Sequence, residues 1–183
     1  MSWIDKIENH YEIVWKSRGE ICEFTNGPID ALPEGFTVRK FRPHAGRDMW
    51  TFATCGMSLQ KDKKPIELHI FSPKDSVEIV ELLFSAAHFH RTAEFLGLWH
   101  TVNFGRSWLD DSLCTHGLVS LPYLDGPLLE NLELNSFLIK FYWLIPISPS
   151  EVEFKKANGL EALEAKFEQA NFNYIDPRRR TVV

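Results

Sequence analysis

The sequence is poor in cysteine, with only Cys22, Cys55 and Cys114 among its 183 residues. The number is odd and no Cys-x-x-Cys pair occurs, which argues against both a disulfide framework and a zinc ribbon. The first twenty residues lack the apolar core of a signal peptide, because charged residues recur every few positions. No apolar run approaches the roughly 20 residues that a membrane-spanning helix needs. We therefore expect a cytoplasmic protein that does not bind a membrane.

Motifs that bind nucleotide cofactors are also absent. The sequence contains neither a Gly-x-x-x-x-Gly-Lys phosphate loop nor a Gly-x-Gly-x-x-Gly sequence, so it predicts no cofactor. Direct binding of nucleic acid is disfavoured as well, because 25 acidic residues outnumber 20 lysines and arginines and leave a net charge of −5. The same charge favours a basic protein as partner, since opposite charges accelerate encounter.

Hydrophobic periodicity predicts both helices and strands. Apolar residues recur every three or four positions in 2–17, which is typical of an amphipathic helix. Strands are expected where β-branched and aromatic residues alternate or run together, and a polar link joins the second and third of them as in a hairpin. These predicted strands are 36–42, 50–59, 66–72 and, as a continuous apolar run typical of a central strand, 136–148.

Two Ser-Pro pairs predict where later helices begin. Ser72 is expected to cap a helix that has Pro73 in its first turn and whose buried stripe starts at Val77. Ser148 repeats this signal, with Glu151 three residues later, and the helix that follows should stop at 158–159 before another begins. No repeat or linker divides the chain. We therefore expect an α+β fold in a single domain, with a mixed central β-sheet packed by helices.

Several residue types used by hydrolases and metal sites occur close together in 103–126. A metal site of Cys114 and His116, and a triad of Ser120, His116 and an aspartate, are both open on composition alone. Ser120 lacks the Gly-x-Ser-x-Gly turn that exposes a nucleophile, and nothing adjacent in sequence lowers the pKa of the Cys114 thiol. The histidines of 88–90 are two positions apart, which places them on different faces of a helix. The residue pattern thus favours structural roles, and we predict neither catalytic nor metal-binding residues.

A long acidic segment without lysine or arginine extends from Ser107 to Ile139. It contains five acidic side chains and two aromatic residues of the kind that anchor protein interfaces. Two interpretations are therefore open. The first is a set of solvated loops, which have similar compositions, and the second is a functional surface. Under the second one it forms a partner-binding surface, and the predicted contact residues are Trp108, Asp110, Asp111, Tyr123, Asp125, Glu130 and Glu133.

Six motifs in the same order resemble the suppressor of fused (SUFU) domain family. They are "WTFATCGMS" (50–58), "IELHI" (66–70), "WHTVNFGRSW" (99–108), "LVSLPYLDGP" (118–127), "FYWLIPISPSE" (141–151) and "GLEALEAKFE" (159–168). The length resembles that of the compact bacterial members. On this resemblance the chain is a single SUFU-like domain over 1–183, with an N-terminal helix at about 2–17 and a family-like core at about 35–183.

The resemblance implies a non-enzymatic protein-binding domain. Animal members of the family sequester a transcription factor, and bacterial members are associated with immunity against polymorphic toxins. The first hypothesis is therefore an immunity protein that occludes a basic toxin domain, in particular a nuclease. The second is a regulator that sequesters a transcription factor or peptide, for example by strand addition to a sheet edge. The third, and least favoured, is a metal- or thiol-dependent hydrolase that uses Cys114, His116 and Asp111.

Overall fold

The computed structural model describes residues 2–25, 27 and 29–183. Within these residues the chain forms five helices and eight strands. The helices are α1 (Trp3–Trp15), α2 (Val77–Thr92), α3 (Pro127–Glu130), α4 (Pro149–Asn158) and α5 (Leu160–Ala170). The strands are β1 (Glu20–Cys22), β2 (Thr37–Phe41), β3 (Trp50–Cys55), β4 (Ile66–Ser72), β5 (Thr101–Asn103), β6 (His116–Ser120), β7 (Asn131–Leu134) and β8 (Phe137–Ile147).

All eight strands belong to one mixed sheet, in the order β1-β2-β3-β4-β8-β6-β5, with β7 also paired to β8. The pairing of β4 with β8 is parallel, whereas every other strand pair is antiparallel. A parallel pair needs a long crossover connection, and α2 lies on that connection. The expected α+β fold with a mixed central sheet is therefore confirmed.

Helices cover both faces of this sheet. On one face α2 packs over β2, β3 and β4 and helps to enclose the largest core cluster, which also contains Tyr142 and Leu144 of β8. On the other face α1 covers one part of the sheet through Tyr11 and Trp15, and α4 with α5 covers another through Leu163 and Phe167. No helix within the described residues has the length and apolar character needed to span a bilayer.

The strand β8 is the centre of the fold, as its apolar sequence predicts. From Phe141 to Ile147 its residues are buried, because β4 and β6 pair with its two edges and helices cover both of its faces. The predicted β3–β4 hairpin is also present. The strands β1, β5, β6 and β7 were not predicted, since segments of three to five residues are too short to show a clear period.

Capping side chains set the starts of three helices. Ser2 and Asp5 form a capping box at α1, and Ser148 with Glu151 forms the expected one at α4. The predicted start of α2 at Ser72 is wrong. Ser72 ends β4 and its hydroxyl closes a local turn with the backbone of Lys74, so the helix begins four residues later with Ser76 as its cap. The residue after this cap, Val77, is consequently exposed and does not belong to the buried stripe.

A buried carboxylate shapes the end of β3. The Glu67 side chain on β4 is fully buried and accepts hydrogen bonds from the backbone N–H groups of Gly56, Met57 and Ser58. The hydroxyls of Thr54 and Ser58 donate to it as well, both at 2.6 Å. Burial raises the pKa of Glu67, and the hydrogen bonds from Ser58, Thr54 and Met57 oppose that shift. The chain can therefore turn sharply after β3, where Gly56 adopts a φ of +92°.

The C-terminal tail is fastened to the sheet by a buried ion pair. Arg179 Nη1 lies 2.7 Å from Glu151 Oε1 on α4, and Arg179 Nη2 donates to the carbonyl of Pro146 at 2.9 Å. Burial opposes ionisation of Glu151, but the hydrogen bonds and charge of Arg179 outweigh it and lower the pKa of that carboxyl. Of the three consecutive arginines in the tail, Arg179 is the one that pairs with the body of the domain.

Replacing Arg179 with methionine should destabilise the fold by about 3–5 kcal/mol, because the Glu151 carboxylate would then be buried without its partner. Urea denaturation at pH 7 measures the free energy of unfolding. Arg180→Met is the matched control, since Arg180 is exposed and its loss should change the free energy by less than about 0.5 kcal/mol. Equal effects of the two substitutions would contradict the assignment.

Candidate functional site

The acidic segment 107–139 is divided between the two faces of the sheet. Its first part packs through Trp108 and Leu109 into the core on the α2 side. Its later part packs through Leu129 and Leu132 into the core on the α1 side. The structure therefore does not bring the seven predicted contact residues together. Trp108, Asp110 and Asp111 lie on the α2 side, and Tyr123 and Asp125 lie on the α1 side. Glu133 is directly opposite Leu138 of β8 and Glu130 reaches Lys140, so both carboxylates face the α2 side as well.

Trp108 is not available as the aromatic anchor that the sequence suggested. Its side chain is in the core, with only 1% of the residue exposed. The indole Nε1 donates to Ser112 Oγ at 3.0 Å, and the same hydroxyl accepts from the backbone N–H of Cys114. The ring thus buries its large apolar surface while its one polar atom finds a partner within a short loop.

The loop tip that follows Trp108 is exposed. Asp110 adopts a left-handed conformation with φ +49°, and its Oδ1 lies 2.5 Å from Lys74 Nζ. About half of each of these two side chains is exposed, so the ion pair contributes little to stability. Asp111 and Leu113 are exposed beside it. This tip is a small separate surface on the α2 side.

The surface on the α1 side is formed by residues 121–130, which connect β6 to β7. Strand β6 ends where Ser120 pairs with Trp143 of β8, and β7 begins where Asn131 pairs with Lys140. Because β4 occupies the opposite edge of β8 from Lys140 to Trp143, both β6 and β7 lie on the remaining edge. The two strands are thus one interrupted strand. Ten residues, 121–130, connect positions that only two residues of β8 separate.

The Asp125 side chain holds this 121–130 connection against the sheet. It is only 3% exposed, which corrects the expectation that it contacts a partner. Its Oδ1 accepts hydrogen bonds from Arg47 Nη2 and from Trp15 Nε1, the latter at 2.9 Å. The Arg47 guanidinium also lies over the rings of Trp15 and Phe71, at 5.2 and 5.3 Å from their centroids. Burial lowers the pKa of Arg47 to about 10, which leaves it charged at neutral pH.

A buried histidine lies next to this ion pair. His69 of β4 is completely buried, and its Nε2 is 3.9 Å from Asp125 Oδ2. Neither ring nitrogen of His69 has a hydrogen-bond partner among the described residues, and the same holds for Asp125 Oδ2 and Trp143 Nε1. Burial first, and the Arg47 charge second, lower the pKa of His69 to about 3. The imidazole is therefore neutral at physiological pH.

Beyond the Asp125 anchor, the 121–130 connection exposes apolar side chains to solvent. Tyr123 is 58% exposed, Leu124 48% and Leu128 78%. We call these three residues the Tyr123 patch. Leu129 between them is fully buried, and its carbonyl lies 3.0 Å from His10 Nε2 on α1. The patch is therefore presented by a segment that is fixed at two points, and Ile13 of α1 adds a further exposed apolar side chain on the neighbouring helix.

Glu164 is the acidic group in contact with the Tyr123 patch, whereas Glu130 and Glu133 extend toward the α2 side of the sheet. Glu130 Oε1 lies 3.2 Å from Lys140 Nζ, whereas Glu133 on β7 is exposed and forms no ion pair within the described chain. Glu164 of α5 accepts a hydrogen bond from the Tyr123 hydroxyl at 3.3 Å. The cation facing Glu130 comes from β8, one residue beyond the base-free segment, so absence of bases in sequence does not mean absence in space.

The environments of Cys114, His116 and Ser120, the residues that resemble a hydrolase site, are typical of residues with structural roles. Cys114 is buried, and burial raises the pKa of its thiol, so the reactive thiolate is disfavoured at neutral pH. His116 Nδ1 lies 3.0 Å from the Thr115 hydroxyl, and partial burial lowers its pKa. Ser120 is buried on β6. In the part of the chain that the structure describes, no three His, Cys, Asp or Glu side chains are grouped as a metal site would require.

Sequence reasoning missed Arg47, Leu124 and Leu128. Arg47 is 78 residues away from Asp125, and no local pattern links the two. The leucines did carry a signal. Turn-forming residues at 122, 126 and 127 flank Leu124 and directly precede Leu128, and such a short turn cannot bury every apolar side chain that it carries. An apolar cluster within a Pro/Gly turn is therefore an indicator of an exposed patch.

This geometry defines a small α+β domain with a fixed, exposed apolar surface suited to contact with another protein. A family model described as suppressor of fused protein (SUFU) matches residues 33–180, which is most of the chain. The chain therefore belongs to the SUFU family, and the resemblance seen in its motifs is confirmed. No curated protein matches the sequence.

Solved structures of this family share the fold. A SUFU homologue from Neisseria gonorrhoeae FA 1090 is 30% identical with a TM-score of 0.85, and the match covers 99% of this chain and 97% of that one. The Sufu–Fu complex is 13% identical with a TM-score of 0.72, over 98% and 92% of the two chains. Drosophila Suppressor of Fused is 14% identical with a TM-score of 0.66, over 98% of this chain and 50% of that one. The last two likenesses concern the fold alone.

Substituting Asp125 with alanine should cost about 3–5 kcal/mol, because it leaves the Arg47 guanidinium buried without its carboxylate partner. Urea denaturation gives the change in the free energy of unfolding. Asp110→Ala is the control from the same acidic segment, and its exposed pair with Lys74 should be worth about 0–1 kcal/mol. If Asp125→Ala were as mild as the control, Asp125 would not be the anchor of the 121–130 connection.

The buried neutral His69 predicts a loss of stability in mild acid. Its pKa is lower in the folded state than in the unfolded chain, so protons bind preferentially to the unfolded state as the pH falls below about 6.5. This single group should remove about 2 kcal/mol between pH 7 and pH 5. Unfolding measured at both pH values should show that much less pH dependence in His69→Gln than in the wild type. An unchanged pH dependence would show that His69 is not buried as a neutral ring.

Proposed function

We propose that this protein is a cytoplasmic immunity protein that binds a basic toxin domain, in particular a nuclease, and neutralises it by occlusion. Membership of the SUFU family supports the broader statement that the domain is a non-enzymatic protein binder. The Tyr123 patch is the surface that we propose for this contact. It places an aromatic and two aliphatic side chains in solvent on a segment whose backbone is fixed.

Rigidity makes these exposed side chains effective binding groups. Ordering a loop on association costs free energy that reduces affinity. Here Asp125 is already fixed by Arg47 and Trp15, and Leu129 is already in the core, so little ordering remains. Tyrosine is enriched among the residues that dominate interface energetics, since its ring buries a large area with few rotatable bonds. Tyr123 is therefore the proposed central anchor, with Leu124 and Leu128 beside it.

Charge would then guide the partner to this surface. The chain carries a net charge of −5, and Glu164 of α5 lies within hydrogen-bond distance of the Tyr123 hydroxyl. A basic toxin domain that cleaves nucleic acid needs a cationic surface for its substrate, and an acidic protein covering that surface competes with the substrate directly. Complementary charge raises the association rate more than it lowers the dissociation rate. Neutralisation by this route requires no catalytic group on the immunity protein.

The Leu128→Arg substitution should raise the Kd for the toxin at least tenfold, because it places a cation in the apolar contact with a basic partner. The proposal requires a toxin as partner, and the one to use is the C-terminal domain of the neighbouring gene's product, purified as an inactive variant and titrated by calorimetry. Leu113→Arg is the matched control, since Leu113 is 59% exposed on the opposite side of the sheet. The control should bind as the wild type does and should still rescue cells that express the active toxin.

Two results would contradict this proposal. One is that co-expression leaves toxicity unchanged and no complex with the toxin elutes from size-exclusion chromatography. The other is that the two arginine variants weaken binding equally, which would place the contact outside the Tyr123 patch. A pull-down that recovers a transcription regulator with no toxin would instead favour the alternative role of sequestering a regulator.

A further inference from the structure

A pocket with a volume of about 340 Å³ lies where the last turn of α2 meets the link between β3 and β4. The link, the helix and the residues just after the helix all contribute to its lining, which consists of Asp62, Lys63, Lys64, His90, Arg91 and Phe95. Pockets of this size hold small organic ligands. This pocket is separate from the Tyr123 patch, which lies on the α1 side of the sheet.

The free charge in this pocket is positive, although the whole chain is acidic. The Asp62 carboxylate lies 2.5 Å from Arg91 Nη2 and also accepts the backbone N–H of Leu59, so its charge is already balanced. Lys63 and Lys64 are exposed and form no ion pair with any described carboxylate. Two ammonium groups therefore remain, and together they balance a ligand that carries two negative charges.

A buried histidine adds a neutral donor to the same pocket. His90 is only 8% exposed, and its Nδ1 accepts the backbone N–H of Leu96 at 3.0 Å. A ring nitrogen that accepts carries no proton, so the proton of the neutral ring is on Nε2. Burial first, and the Arg91 charge second, lower the pKa of His90 to about 4, which keeps the ring neutral at physiological pH. Nε2 forms no hydrogen bond within the described chain and is not sealed from solvent, so its N–H is free to donate to a ligand.

The pocket is larger than an inorganic anion requires. A phosphate ion occupies roughly the volume of two or three water molecules, at about 30 Å³ each. The remaining space adjoins Phe95, which is 43% exposed and whose ring centroid lies 4.8 Å from that of His90. An exposed aromatic ring beside an anion site offers a surface on which a planar group can stack.

We propose that this pocket binds a phosphate monoester whose organic group contains an aromatic ring, as in a nucleoside monophosphate. Lys63 and Lys64 would balance the charge of the phosphate, and His90 Nε2 would donate a hydrogen bond to one of its oxygens. The aromatic ring would lie against Phe95. A phosphate monoester fits because at neutral pH it carries close to two negative charges and its oxygens accept hydrogen bonds. The site does not depend on the toxin contact proposed for the Tyr123 patch.

Isothermal titration calorimetry with AMP tests this site, and adenosine and inorganic phosphate serve as the two parts of that ligand. We expect a Kd below about 1 mM for AMP and at least tenfold weaker binding of either part, because each part makes only some of the contacts. Lys63→Glu/Lys64→Glu should weaken AMP binding at least tenfold, because it removes the two cations. The control Lys16→Glu/Lys156→Glu changes the net charge equally at exposed residues outside the pocket, and it should leave the Kd within twofold of the wild type.

NMR of nitrogen-labelled histidine rings reports on His90 while leaving the protein unchanged. The ring should carry its proton on Nε2, and AMP should shift the Nε2 signal more than adenosine does, because only AMP brings an acceptor oxygen to that N–H. The proposal is overturned if AMP does not bind at millimolar concentration, if either part binds as tightly as AMP, if both double variants lose binding equally, or if the Nε2 signal does not respond to AMP. None of these outcomes bears on the Leu128→Arg experiment with the toxin domain.

Discussion

The fold depends on β8, and the candidate binding surface arises where its neighbours change from β6 to β7. Its eleven residues are too long for any one partner strand, so β4, β6 and β7 each pair with only part of it. On one edge, β6 and β7 leave a two-residue gap that the chain bridges with the ten-residue excursion 121–130. On the other edge, β4 starts too late to cover Leu138. A long central strand with short neighbours thus produces an exposed loop and an open edge on the same strand.

Buried polar contacts fasten the chain wherever it leaves this sheet. Glu67 gathers backbone donors at the end of β3, Asp125 with Arg47 holds the 121–130 connection, and Glu151 with Arg179 holds the tail. Each contact joins residues that are not neighbours in sequence. Losing one partner would leave the other polar or charged group buried without a partner, which costs free energy in a low-dielectric interior. Such contacts add less net stability than their geometry suggests, yet they permit only one placement of each loop. The position of the Tyr123 patch follows from one of them.

Sequence reasoning predicted the features that local patterns encode. The helices at both ends, the β3–β4 hairpin, the capping box at Ser148 and the central strand all follow from periodicity and capping within a few residues. The start of α2 was misplaced because Ser72 and Ser76 offer similar signals and only tertiary context decides between them. Burial of Trp108 and Asp125 was not predictable, because it depends on Ser112 geometry in one case and on distant Arg47 in the other.

The acidic segment shows why charge along a sequence is a poor measure of charge on a surface. Of its five acidic residues, three face cations supplied from outside the segment: Asp110 faces Lys74, Asp125 faces Arg47 and Glu130 faces Lys140. Asp111 and Glu133 form no ion pair within the described chain, and both lie on the α2 side of the sheet, away from the Tyr123 patch. Electrostatic attraction at the Tyr123 patch therefore comes from few groups and is screened by salt. Affinity for a partner must then come mainly from the apolar side chains, with charge affecting the rate of encounter.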